Sequence, residues 1–276
     1  MKPVKRIFYC VLLCSVFFCS REASARPIRR PLLNAVSAVM VDANRGIVLF
    51  SKNPYLKLPP ASTTKIMTAV VVLKRLPLNQ RVVIGSRAVE AAPSNAGLTL
   101  NAAYTVQDLL VALLVSSSND AAVALAEAVA GDEARFAALM NEKAKTLGMQ
   151  DTFFLNATGL PSKTKRQQYS TAYDLTLLMR AAAKDRRIDE ILGVTTAVIR
   201  GSDRRPIFIK SHNKMLWRAP GLVKGKTGWT FASRHTFVGT NYSADKRILF
   251  ALLRSKEPWK DIERLATFGL LLTQKK

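Results

Sequence analysis

The apolar positions of this chain change rhythm as the sequence proceeds. Ser37 to Val41 and Ile47 to Ser51 are short apolar runs on either side of Asp42-Ala43-Asn44-Arg45-Gly46, the pattern of two strands joined by a turn. Pro59-Pro60 stops the chain, and a helical stretch follows from Ser62 to about Leu76, with Ser62 offering N-cap chemistry. Thr105 and Asp108 form a capping-box-like start to a helix that runs to about Val115. Asn119 to Ala130 and Asp132 to Leu147 read as two Ala-rich helices ended by Gly131 and Gly148, and Ser170-Thr171 opens another from Ala172 to about Lys184.

After residue 194 the period shortens to that of strands. Thr195 to Arg200, Ile207 to Lys210, Leu222 to Thr230, His235 to Asn241 and Arg247 to Leu253 are β-like, and Asp261 to Leu272 is a closing amphipathic helix. A hairpin at one end and strands at the other thus enclose a helical middle. If both ends share one antiparallel sheet, the chain is an α+β layered domain. The pattern shows no internal repeat.

The start of the chain is of another kind. Lys2, Lys5 and Arg6 precede an apolar run from Ile7 to Cys19, and Ala23-Ser24-Ala25 follows as an A-x-A site. The run is short for a membrane helix and suits a signal-peptide core, so we expect residues 1–25 to be a cleaved leader and the protein to be exported to a periplasmic or outer cell-wall face. An uncleaved anchor is the alternative. Residues 26–34, rich in Pro and Arg, read as a flexible lead-in, and 35–276 as one domain.

Cysteine and charge narrow the chemistry. Cys10, Cys14 and Cys19 all lie in the leader, so the mature chain is expected to hold no disulfide, no thiol nucleophile and no Cys-ligated metal. His212 and His235 alone make a catalytic zinc site an unsuitable reading, and no cofactor is called for. The formal charge is +23; the leader carries a net +3, which leaves +20 on the mature chain. Such a surface favours polyanions. With an export signal, anionic wall polymers or lipid headgroups fit better than nucleic acid.

Three short motifs carry candidate chemistry. In Ser62-Thr63-Thr64-Lys65 the hydroxyl and the amine are three residues apart, on one face of a helix. A serine needs a base to become a nucleophile, and a lysine whose pKa is lowered by burial and nearby cations can be that base. Ser117-Ser118-Asn119 sits between two helices, where a hydroxyl can relay a proton and an amide can hold a carbonyl. Lys226-Thr227-Gly228 lies in a strand: glycine allows close approach of another backbone, lysine and threonine suit a carboxylate. Singly, each also reads as caps or a solvated edge lysine.

Together, in this order and on helix, interhelical loop and strand, the motifs form the set S-x-x-K, S-x-N, K-T-G of penicillin-binding proteins and class A β-lactamases. Over residues 35 to 270 the chain resembles the low-molecular-weight penicillin-binding proteins, the serine D-alanyl-D-alanine carboxypeptidases. Further similar segments are Pro60 to Ala69, Ser118 to Ala126, Asn156-Ala157-Thr158-Gly159-Leu160 and Ser170 to Asp174. The resemblance implies a transpeptidase-like fold with a sheet built from both chain ends. It implies Ser62 as the acylated nucleophile, Lys65 as its base, Ser117 as a proton relay and Asn119 as a substrate-orienting amide. Lys226 and Thr227 would bind the substrate's terminal carboxylate, with His212 a candidate third contact. The N–H groups of Ser62 and Trp229 would form the oxyanion hole. Peptidoglycan stem peptides are the implied substrate and β-lactams the implied acylating inhibitors; oligomeric state is left open.

The chain departs from the family pattern in places. Trp229 follows K-T-G where relatives often have His, and Ala232-Ser233 stands where they often have Ala-Gly. Larger relatives continue into a second β domain and a membrane-binding helix, and the expectation is that both are absent. Between Asn119 and Lys226 there is no E-x-x-x-N segment of the kind that carries the class A deacylating glutamate. A D,D-endopeptidase on the same fold and a non-catalytic wall-binding module are the competing readings.

Overall fold

The computed structural model describes residues 28–162, 164, 166–218, 223–243 and 246–274. The expected leader and its expected cleavage site lie outside the described residues. Strands β1 (Ser37–Asp42) and β2 (Val48–Lys52) form the expected hairpin, with Met40 opposite Phe50. The Asp42 carboxylate closes the turn by accepting the Asn44 and Arg45 N–H groups at 2.9 and 3.0 Å.

The chain next enters a 3-10 turn, Ala61–Thr64, that runs directly into α1 (Lys65–Val72). A short β3 (Arg81–Val83) and α2 (Ser86–Val89) lead to β4 (Ala103–Thr105), which pairs back with β3. Helices α3 (Val106–Val115), α4 (Asn119–Ala130), α5 (Glu133–Thr146), α6 (Ala172–Ala182) and α7 (Arg186–Ile191) complete the helical middle. The caps read from the sequence are formed: Thr105 and Thr171 accept the Asp108 and Asp174 N–H groups, and Gly131 ends α4 in the left-handed region. β5 (Thr196–Arg200) and β6 (Pro206–Lys210) pair only with each other, and α8 (Met215–Arg218) follows. The last strands are β7 (Val223–Thr230), β8 (Arg234–Ser243) and β9 (Lys246–Ser255), and α9 (Pro258–Gln274) closes the chain.

The main sheet has the order β2-β1-β9-β8-β7, antiparallel throughout, so both chain ends do meet in one sheet. β9 is central, and its run from Ile248 to Leu253 is buried on both sides. Val39, Val238, Leu249 and Ala251 face the helical middle; Met40, Phe237, Phe250 and Leu252 face α9. That is the period of two of a strand covered on both faces. β7, the K-T-G strand, forms one edge of this sheet. Every residue of α1 is buried, so this helix is the axis of the helical layer, as an all-round apolar helix must be. Lys65 is therefore carried into the interior by its own helix.

One expectation is corrected. Ser62 is no helix cap: it lies inside the 3-10 turn, whose first flank is Pro60, and no side chain caps that turn. The lead-in has no helix or strand over 28–34, and its end is held at the start of the domain. The Asp261 carboxylate accepts Asn34 N and Ala35 N at 2.9 and 2.8 Å, and Ile28 and Leu33 pack on the α9 cluster.

Candidate active site

The site forms where the 3-10 turn, the start of α4 and the edge strand β7 converge. Lys65 Nζ donates to Ser62 Oγ at 3.1 Å, to Asn119 Oδ1 at 2.7 Å and to the Thr158 carbonyl at 2.6 Å. The amine is fully buried, and burial together with the charge of Lys226 holds its pKa well below the ordinary lysine value. A neutral Lys65 keeps two N–H groups for Asn119 and Thr158 and turns its lone pair to the Ser62 hydroxyl. That is the state in which it can take a proton.

Lys226 is also buried, and burial alone brings its pKa down to about 7. Its one hydrogen bond among the described residues is to the Thr227 carbonyl, at 2.9 Å. Gly228 explains how β7 reaches the nucleophile. A Cβ placed there would stand 2.8 Å from Ser62 N and 2.4 Å from Thr236 Oγ1, so only glycine lets the strand lie against the 3-10 turn. Thr236 Oγ1, on β8, donates to the Pro60 carbonyl at 3.0 Å and fixes the same turn from below. Ala61 holds a left-handed φ of 50° directly before the nucleophile, and Ser117 one of 64° directly before the Ser118-Asn119 pair. Strained backbone of this kind persists where surrounding contacts over-determine it.

The structure therefore joins Ser62, Lys65 and Asn119 by direct hydrogen bonds and brings Lys226 within electrostatic reach of Lys65. Ser117 is buried two residues before Asn119. Thr227 and Trp229 flank the Gly228 contact. Asn119 Nδ2 donates to the Pro93 carbonyl, so a substrate carbonyl would share that donor. His212 lies close enough that the charges of both Lys226 and Lys65, after partial burial, depress its pKa. The Trp229 ring stands half exposed at the end of β7, against Phe231 at 4.9 Å and His235 at 6.5 Å between centroids. Ser233, the departure from the usual Gly, is buried and closes the β7–β8 turn: its Oγ accepts Thr230 N at 2.9 Å and its N donates to Thr230 Oγ1 at 3.0 Å.

Several residues that hold the site carry no role in the sequence reading. Thr158 supplies a carbonyl to Lys65, and the turn that presents it depends on Gly159: with φ 83°, a Cβ there would fall 2.0 Å from the Ala61 carbonyl. Asn156 Oδ1 accepts Thr158 Oγ1 and Gly159 N in the same turn. Asp120, buried, accepts the Ala96, Gly97 and Leu98 N–H groups, which fixes the loop that contacts Asn119. The sequence signal for these lies in the segments Asn156 to Leu160 and Ser118 to Ala126, which resemble the family but carry no side-chain pattern that marks the mechanism.

Comparison with known proteins gives the family. A family model described as D-alanyl-D-alanine carboxypeptidase matches residues 24–256. The chain is 35% identical over 78% of its length to the carboxypeptidase DacB2 of Mycobacterium tuberculosis, covering 73% of that protein. It is 34% identical over 79% of its length to a D-alanyl-D-alanine endopeptidase of Escherichia coli, covering 71% of it. It is 30% identical over 81% of its length to the carboxypeptidase DacF of Bacillus subtilis, but spans only 58% of that relative. Among solved structures, the penicillin-binding protein homolog Rv2911 of Mycobacterium tuberculosis superposes with a TM-score of 0.83 at 33% identity, over 91% of this chain and 95% of that one. The chain belongs to the D-alanyl-D-alanine carboxypeptidase family.

Proposed function

We propose that this protein is a serine D-alanyl-D-alanine carboxypeptidase that trims the terminal D-alanine from peptidoglycan stem pentapeptides and is acylated by β-lactams. The observation that carries the reading is the buried Lys65 amine, hydrogen-bonded to Ser62 Oγ and held from behind by Asn119 and Thr158. Neutral Lys65 takes the Ser62 proton as Oγ attacks the carbonyl of the penultimate D-alanine. The oxyanion is met by the Ser62 and Trp229 N–H groups. The amide C–N bond breaks, and the departing amine receives a proton from Lys65 by way of Ser117. Water then hydrolyses the Ser62 ester. Lys226 and Thr227 hold the terminal carboxylate while this happens, with His212 beside them.

A non-catalytic wall-binding module has no use for two lysines in its interior, each of which costs stability to desolvate. Its basic surface can still hold an exported enzyme near anionic wall polymers. Among the described residues no helix is long and apolar enough to cross a membrane.

The test is incubation with a pentapeptide muropeptide, reading D-alanine release by mass spectrometry, alongside labelling with fluorescent penicillin and mapping of the adduct. Release of D-alanine with the adduct on Ser62 is expected. An adduct on another serine, or none, would sink the assignment.

A further inference from the structure

Lys65 Nζ donates to the Thr158 carbonyl, and the segment that carries this carbonyl is clamped from two sides. From α1, Thr68 Oγ1, one turn after Lys65, donates to the carbonyl of the buried Ala157 at 2.7 Å. From the first turn of α5, Glu133 Oε1 accepts the Ala157 N–H at 3.1 Å. The carboxylate contact and the carbonyl that receives Lys65 are thus on adjacent residues of one held segment. A hydrogen bond from an N–H to a carboxylate is stronger than one between neutral groups, so Glu133 is a firm end to this clamp.

Glu133 stands in an acidic corner of a basic chain. A cleft of about 780 Å³ is lined there by Glu90, Glu127, Asp132 and Glu133 together with Asn156 and Thr158. Glu127 is paired with Arg87 at 3.9 Å and Asp132 with Arg135 at 3.3 Å, whereas Glu133 forms no ion pair among the described residues. Burial holds the Glu133 pKa above the ordinary carboxylate value; the Ala157 N–H and the charge of Lys65 oppose this, and the charge of Glu127 adds to it. Around Lys65, burial and the charge of Lys226 favour the neutral amine. Two anions favour the ammonium: Glu133 from α5 and, more weakly, Asp120 from α4. Asp120 already accepts the Ala96, Gly97 and Leu98 N–H groups. His212, on the approach to β7, also feels the Lys65 charge.

A carboxylate in the first turn of a helix also complements the helix dipole, but that role needs no contact with Ala157. Resting on the reading of Lys65 as the base for Ser62, we propose that Glu133 is a positioning residue of the acylation step: through Ala157 it fixes the Thr158 carbonyl against the Lys65 amine, and its carboxylate is the counter-charge behind that amine. The hydrogen bond and the charge can be separated by substitution. Glutamine keeps an oxygen for the Ala157 N–H but carries no charge. Aspartate keeps the charge on a side chain one methylene shorter, and alanine keeps neither. Lys65 must be neutral to take the Ser62 proton, so acylation rises with pH as Lys65 loses its own proton. Removing the anion makes the neutral amine available at lower pH.

The experiment measures the rate of acylation by fluorescent penicillin from about pH 5 to about pH 10 for the full chain and its Glu133 variants, with melting temperatures alongside. Glu133→Gln should move the rising limb of the profile down by roughly half to one pH unit, less than the shift of about one to three units from a charge in direct contact. Its plateau should hold within about threefold, because the Ala157 N–H keeps an acceptor. Glu133→Asp should leave the limb at the wild-type position and lower the plateau by roughly three- to tenfold, the cost of a slackened Thr158 carbonyl. Glu133→Ala should show both changes. Should Glu133→Ala not fold, the glutamine and aspartate variants decide alone. A rising limb that coincides in wild type and Glu133→Gln would overturn the proposal and leave Glu133 a helix-dipole acid, with Ser62 acylation intact. So would an aspartate plateau equal to the wild type's. A wild-type profile with no rising limb, or no adduct on Ser62, would instead remove the reading of Lys65, and the proposal with it.

Discussion

Two lysines of the candidate site are both buried, but in different surroundings. Lys65, on the helical side, has all three donor directions occupied by the protein itself: Ser62, Asn119 and Thr158. Lys226, on the edge strand, has one hydrogen-bond partner among the described residues, the carbonyl of its neighbour Thr227. Desolvation lowers the proton affinity of both, but only Lys65 is further depressed by the other's charge. The contrast teaches that burial alone does not assign a role. The lysine wired into the fold is suited to moving a proton, and the lysine with spare donors is suited to meeting a ligand.

The largest break in that comparison is removal of the proposed nucleophile. Ser62→Ala should lower acylation by fluorescent penicillin and D-alanine release at least about a thousandfold, the scale for loss of a nucleophile. Its melting temperature should stay within a few degrees of the wild type, since the hydroxyl caps nothing and the Lys65 amine keeps Asn119 and Thr158 as partners. Residual acylation at wild-type rate would show that another residue attacks.

Next comes the wired lysine. Lys65→Ala should slow acylation by at least about a hundredfold, the usual scale for general-base loss. Lys65→Arg should do no better, because guanidinium does not give up its proton in proteins. Stopped-flow acylation kinetics check both. Rescue by arginine would mean that charge at this position, not proton transfer, is what matters.

How much of this was legible in the sequence follows from the same contrast. The chemistry-bearing side chains announced themselves because S-x-x-K and K-T-G are short-range patterns, and the capped helices and alternating strands around them obey local periods. The partners of Lys65 did not. Thr158 contributes a backbone carbonyl from 93 positions away, which no side-chain pattern marks. β3 and β4, three residues each, are too short to show a period of two, and α2, α7 and α8 make less than two turns. Ser62 reads as a cap in the sequence because Pro followed by Ser is also how helices begin, and only the 3-10 geometry separates the two.

The ligand-facing lysine sharpens the comparison through pH. Free Lys226, with a pKa of about 7, is charged below that pH, so kcat/KM on substrates ending in a free carboxylate should fall as pH rises through about 7. Lys226→Arg should abolish this fall, and Lys226→Met should cost about ten- to a hundredfold on the acid substrate and little on its C-terminal amide. Stability should move the other way. The folded pKa lies below the unfolded value of 10.5, so between about 7 and 10.5 the unfolded chain binds more protons and wild-type stability rises with pH. Lys226→Met should therefore show its greatest gain in melting temperature below about pH 7 and lose that gain as pH rises toward 10.5. Equal cleavage of acid and amide by the wild type would deny carboxylate recognition altogether.

The smallest expected effect belongs to Trp229, at the open end of the same strand. Its ring is 48% exposed, with Phe231 and His235 as its aromatic neighbours among the described residues, so the fold gains little from it. Exposed substitutions away from caps and buried networks usually stay within about 0.5 kcal/mol, and Trp229→Ala should leave stability inside that range. The backbone N–H assigned to the oxyanion survives the change, so kcat should hold. On the proposed orientation of the substrate, what goes is an apolar wall beside the leaving group, a contact that would be made equally in ground and transition states. Loss of such uniform binding raises KM without lowering kcat. A rise in KM of about three- to tenfold is expected, equivalent to roughly 0.7–1.4 kcal/mol. Steady-state kinetics on the pentapeptide separate the two parameters. A fall in kcat with KM unchanged would place the ring, and not only the backbone of Trp229, in the transition state, and would extend the ligand-facing side of the site beyond Lys226.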